Sequence, residues 1–221
     1  MWTCFHALRE AEHLWLIERE TVPRVVSSAS MATPISHAVA ALSIGSCFYR
    51  AKIPNRVWVA AALCSVIPDL DAIGFRFGVR YSDFWGHRGF THSLVFAALL
   101  SGVVTLVFRH TVGTTRVSLF IYMFAATASH GLLDAMTNGG LGVAFFSPFD
   151  NHRYFLPWRP IRVSPIAVSR FFSLRAIGIL TTELLWIWLP SAIFAMAVLS
   201  LRRRFGRRTE KVEVAGAGNR T

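Results

Sequence analysis

Charged side chains are in short supply in this chain. Asp, Glu, Lys and Arg make up 16% of 221 residues against 53% hydrophobic residues, and the mean hydropathy is +0.45. That balance leaves too little polar surface to cover a water-soluble globule of this size, so a membrane solvent is the simplest reading. Cysteine is equally sparse. Cys4, Cys47 and Cys64 show no CxxC spacing, which argues against both a thiolate zinc site and a disulfide framework. Acidic residues number 12 against 23 Lys and Arg, for a formal net charge of +11. Nucleic acid is nevertheless not expected as a partner, because no recognisable reading module accompanies the basic residues. They cluster beside apolar runs instead: Arg50, Lys52 and Arg56; Arg109 and Arg116; then Arg202, Arg203, Arg204, Arg207, Arg208 and Lys211. The positive-inside bias of membrane proteins produces this pattern.

Residues 1–30 lack the basic start and apolar core of a signal peptide. They read as a polar extension of mixed charge. Met31 then opens Met-Ala-Thr-Pro-Ile-Ser-His, and the expectation is that translation begins there or that the preceding stretch is dispensable. Long apolar runs are few as well. Five apolar stretches, 35–48, 57–67, 94–108, 117–136 and 177–201, predict helices, but only the last two approach the roughly 20 residues of a perpendicular span. The shorter ones need polar flanks turned toward the bundle interior. The resulting fold class is all-α: a multi-pass membrane bundle of four to five apolar helices over 31–201, with a basic tail at 202–221.

Placing that tail in the cytoplasm and alternating backwards puts the basic loops 49–56 and 109–116 on the same side. The opposite face then receives 68–93, 137–176 and the start of the first helix. Arg153, Arg159, Arg162, Arg170 and Arg175 in the 137–176 segment run against this orientation.

On that face the polar residues collect. His37 opens the first helix, Asp69 and Asp71 close the second, His87 and His92 precede the third, and His130 and Asp134 lie near the end of the fourth. In Ser129-His130-Gly131-Leu132-Leu133-Asp134 the imidazole and carboxylate are four residues apart, so both lie on one helical face and can reach one ion. A buried His–Asp hydrogen bond would explain a lone pair equally well, but ionisable groups at membrane depth are costly and are functional by default. Pro68-Asp69-Leu70-Asp71 predicts alternate carboxylates in an extended segment, one facing a metal and the other a second ion or a water. Gly86-His87-Arg88-Gly89-Phe90-Thr91-His92-Ser93 places two imidazoles around a glycine turn, with Thr91 and Ser93 free to cap the next helix or orient ligands. Mixed nitrogen and oxygen donors suit zinc first and manganese second, as one or two divalent ions. Arg88 and Arg153 are candidates to hold an anionic substrate. Glu183 is expected to face the bundle or the interface, and His6, His13 and His110 are expected on the surface.

Together, His37, Pro68-Asp69-Leu70-Asp71, His87-Arg88-Gly89-Phe90-Thr91-His92-Ser93 and His130-Gly131-Leu132-Leu133-Asp134 resemble the YdjM-like family of LexA-regulated, membrane-bound metal-dependent hydrolases. The resemblance covers about residues 31–165. It implies an inner-membrane location and an active site of His37, Asp69, Asp71, His87, His92, His130 and Asp134. More distantly the pattern is similar to zinc-dependent phospholipase C and P1 nuclease, which implies a phosphoester substrate, with membrane phospholipid as one form. No second histidine-rich helix ending in HxxxE follows Asp134, which argues against a trinuclear zinc cluster.

The expected activity is thus hydrolysis by metal-activated water, with Asp69 or Asp71 steering the water and Arg88 helping to hold the substrate. A metal-ion or proton transporter using the same His/Asp cluster is the alternative, and a membrane component without activity is the third reading.

Overall fold

The computed structural model describes residues 30–48, 53–110, 114–165 and 174–217. Most of the polar extension, with Cys4, His6 and His13, lies outside the described residues, as do Arg50, Lys52 and Arg170. The fold is helical: α1 Pro34–Gly45, α2 Asn55–Cys64, α3 Leu94–Val107, α4 Arg116–Ala135, α5 Leu174–Glu183 and α6 Leu189–Ala217. A π turn, Leu184–Trp188, joins α5 to α6. A short ladder pairs Ser30 with Pro165 and Met31 with Ser164. All five apolar stretches of the sequence became helices, and α6 continues past Leu201 into the basic tail.

Local chemistry sets the helix starts. Pro34 occupies the first turn of α1, where its missing N–H costs nothing. Ser93 caps α3 by accepting from the Phe96 N–H at 3.1 Å, and Thr115 does the same for Ser118 at the head of α4. The aspartate pair departs from expectation. It lies not in extended chain but in a 3₁₀ segment, Ile67–Phe77, bent by 41° from α2. Three residues per turn separate positions i and i+2 by about two thirds of a turn, so Asp69 and Asp71 diverge from one another.

The central helix is α4, packed against α1, α2 and α3. Its Leu119, Tyr122, Met123 and Ala126 meet Ala41 of α1 and Val57, Ala61 and Cys64 of α2. Small residues in this core let the helices approach closely, as helices must in lipid, where packing rather than water expulsion holds them. By length and composition, Arg116–Ala135 and Ile177–Arg204 can each cross a membrane, and the bent pair Asn55–Cys64 with Ile67–Phe77 makes up to three such spans. The two differ in burial: the apolar window of the first is 50% buried, that of the second only 6%. Ile177, Leu184, Leu185, Leu189, Ile193 and Met196 all stand exposed along the second, an apolar face far too long to leave in water.

Candidate metal centre

Antiparallel packing brings the scattered histidines and aspartates to one end of the bundle. Asp69, His92, His130 and Asp134 form a group whose donor atoms all lie within 4.8 Å of one another. His130 Nε2 is 3.0 Å from His92 Nε2 and 3.3 Å from Asp69 Oδ1. Asp134 Oδ2 is 3.4 Å from His92 Nε2 and 3.7 Å from His130 Nε2. Four donors held roughly 2.0–2.1 Å from a tetrahedral ion stand about 3.3 Å apart, and these separations bracket that value.

The ring tautomers argue the same way. His130 Nδ1 lies 2.7 Å from the Ser65 carbonyl oxygen, which can only accept, so Nδ1 carries the proton and Nε2 offers a lone pair. His92 Nδ1 lies 3.0 Å from Thr91 Oγ1 and 3.2 Å from Asp71 Oδ2, which fixes its Nδ1 as a donor too. Both Nε2 atoms therefore turn toward one point, and their 3.0 Å separation is repulsive unless a cation, a proton or a metal, lies between them. Asp69 adds two carboxylate oxygens that are buried without a hydrogen-bond partner among the described residues. Buried carboxylate and imidazole atoms in that condition are what an ion would satisfy. The residues fit a divalent ion that prefers mixed nitrogen and oxygen donors.

Asp71 serves the group from behind. It accepts from His87 Nδ1 at 2.6 Å, from Thr91 Oγ1 at 2.6 Å and from the Arg88 backbone N–H at 3.2 Å. A carboxylate behind a histidine raises the basicity of the ring and fixes its direction. Asp71, His87 and His92 also form a group with donor atoms within 4.8 Å; their short contacts are hydrogen bonds that align His92. Burial opposes charging of His92, but the Asp71 carboxylate, with the Asp134 and Asp69 carboxylates close by, outweighs it and holds the pKa well above the ordinary imidazole value. His37 lies on the other side. Its ring stacks on His130 at 3.8 Å, its Nε2 is 3.8 Å from Asp134 Oδ1, and both of its nitrogens are buried without a hydrogen-bond partner among the described residues.

Two arginines depart from the sequence expectation. Arg88, expected to help hold substrate, is fully buried. Its Nε lies 3.0 Å from Asp134 Oδ2, and its other nitrogens donate to the Gly139 carbonyl and to Thr137 Oγ1. The guanidinium fork is thus spent on fixing a carboxylate, and a backbone φ of 62°, rare for a residue with a side chain, marks how tightly the turn is built. Arg153, expected at a rim, donates to the carbonyls of His87 and Tyr81 at 2.7 and 2.8 Å. It ties the 137–165 segment to the histidine turn.

Other contributors carried weaker signals. Gly131 leaves room for the His92 turn, since a Cβ there would stand 2.9 Å from the His92 carbonyl oxygen. Glu183, an acid inside an apolar stretch, faces the bundle: it accepts from the Thr33 N–H at 2.6 Å, Thr33 Oγ1 at 2.6 Å and Ser36 Oγ at 2.7 Å. It thereby clamps the start of α1, one residue before His37. Ser65 contributes a backbone carbonyl, for which sequence gives no signal. His110 is exposed, as expected.

Comparison with known proteins finds one family and one close relative among inner membrane proteins. The family described as YdjM inner membrane protein matches residues 31–205. The Inner membrane protein YbcI of Escherichia coli (strain K12) is 37% identical over 174 residues, which cover 79% of this chain and 100% of that protein. No solved structure matches the chain. With the match reaching into every helix and covering every member of the His/Asp group, the chain belongs to the YdjM inner membrane protein family.

Proposed function

We propose that this protein is a multi-pass membrane hydrolase, with four to five apolar helices in the bilayer and the C-terminal tail in the cytoplasm. Its His/Asp cluster holds a divalent ion, zinc in preference to manganese, and its substrate is a phosphoester of the phospholipid class. The observation that carries the reading is the pair of Nε2 atoms of His92 and His130 facing one point between two buried carboxylates. Bound there, the ion supplies the Lewis acidity that makes water a nucleophile at neutral pH.

The chain's own residues divide the remaining work. Asp134, pinned by Arg88, and His130, pinned by Ser65, are ligands of fixed direction. Asp69 has Oδ1, which faces His130 Nε2 at 3.3 Å, for the ion and its other oxygen to orient a water. Asp71 is a positioning residue acting through His92. His37, with two unengaged nitrogens beside Asp134, completes the ligand set or takes a proton from the water.

The test begins with detergent-purified protein. Metal analysis is expected to find about one ion per chain in the wild type and none in the His130→Ala/Asp134→Ala double variant. A panel of phosphoester and phospholipid substrates is then expected to show turnover that Asp69→Asn abolishes. Metal-free wild-type protein, or turnover indifferent to these changes, would remove the reading. One observation favours the transporter alternative: His37, His130 and Asp134 are fully shielded from solvent, as donors on an occluded pathway would be. Metal flux into proteoliposomes without lipid turnover would decide for it.

A further inference from the structure

The end of the bundle away from the metal centre holds a second feature. From His37 to Ser46, α1 advances by about 13 Å, and there a cleft of about 610 Å³ opens between α1, α2 and α6. Leu42, Trp58, Ala195 and Leu199 give it apolar walls, and Arg202 and Arg203 close one end. Gly45 lets the Trp58 ring of this wall approach α1, since a Cβ at that position would collide with it. Arg202 donates to the carbonyls of Ser46 and Cys47 at the end of α1, which anchors that side of the mouth. Ser46 also lines the cleft.

We propose that this cleft binds one anionic phospholipid, acyl chain against Leu42, Trp58, Ala195 and Leu199 and phosphate at Arg203 and Arg202. The proposal rests on reading Ile177–Arg204 as a membrane span, and not on hydrolysis. A span ending in Arg202, Arg203 and Arg204 sets those guanidiniums at headgroup level, where basic pockets between helices recruit anionic headgroups. Charge complementarity selects the occupant: the cleft carries arginines and no acidic side chain along its lining, and its volume is within the roughly 300–1,000 Å³ of ligand sites. Guanidinium pairs with phosphate in a fixed fork geometry.

Native mass spectrometry of the detergent-solubilised full chain reads this directly. Phosphatidylglycerol and phosphatidylcholine with identical acyl chains are added in equal amounts. Wild-type protein is expected to retain phosphatidylglycerol in preference, by about fivefold for each arginine engaged. Arg202→Gln/Arg203→Gln should bring the ratio to about one, and Ala195→Trp should reduce retention of both lipids by filling the cleft. Because Arg202 also holds the end of α1, Arg203→Gln alone is the second variant; a fall of about fivefold in preference is expected while the melting temperature stays unchanged. Equal retention of the two lipids by wild type, or a preference that survives both arginine variants, overturns the proposal. Carbonate extraction of membranes tests the span separately, so failure of lipid selection and failure of the membrane reading give different results.

Discussion

Arg88 Nε and Asp134 Oδ2 stand 3.0 Å apart with both side chains sealed from solvent, so an arginine from the histidine turn fixes the last acid of the central helix. Removing one partner of such a pair leaves an uncompensated buried charge, which costs on the order of 3–5 kcal/mol. Arg88→Met is therefore expected to lower the melting temperature sharply and to weaken metal retention. Arg88→Lys should recover only part of the loss, because an ammonium cannot reproduce the contacts to Asp134, Thr137 and Gly139 together. Thermal unfolding in detergent, with and without added zinc, measures both.

Asp71 gives a different signature. It touches His92 and His87 rather than the unfilled side of the cluster, so Asp71→Asn should keep the ion but bind it roughly 10–100-fold more weakly. His130→Ala should lose binding altogether. Competition with a calibrated chelator separates these outcomes; equal loss in the two variants would make Asp71 a direct ligand.

Protons compete with the ion. The pKa of His92 is held above the ordinary imidazole value by Asp71, against the effect of burial, so at neutral pH the metal-free ring carries a proton that the ion must displace. Affinity should rise with pH through the range in which His92 loses that proton, and binding should release protons. Calorimetry in two buffers of different ionisation enthalpy counts them; a pH-independent affinity would contradict the assignment of His92 as a ligand.

Glu183 couples the last span to the first helix through Thr33 and Ser36. Glu183→Ala strands buried donors and should cost about 1–3 kcal/mol, while Glu183→Gln, retaining one acceptor, should cost less. Metal affinity is expected to change little in either variant, since Glu183 reaches the centre only through the backbone before His37. A loss of metal equal to that of His130→Ala would place Glu183 in the ligand set.

Helix positions were legible in the sequence because apolar runs are local: each of the five stretches became a helix. The His130–Asp134 face was legible for the same reason, since four residues on a helix define geometry without reference to anything distant. The split between Asp69 and Asp71 was not. An extended reading pointed one carboxylate at a metal and left the other for a second ion or a water, whereas the 3₁₀ turn sends one to the donor cluster and the other behind His92. The inward turn of Arg88 was equally invisible, because a guanidinium beside histidines reads the same from sequence whether it faces a substrate or a carboxylate.

The order of residues thus determined the solvent, the helices, the family and the identity of the donor atoms, all of which follow from side-chain chemistry and short-range periodicity. Only the folded chain decided which donors share a centre, which merely orient them, and which arginine is spent on protein. Those distinctions depend on contacts between positions as far apart as Ser65 and His130 or Thr33 and Glu183, and antiparallel packing sets such contacts through the volumes of all the side chains between.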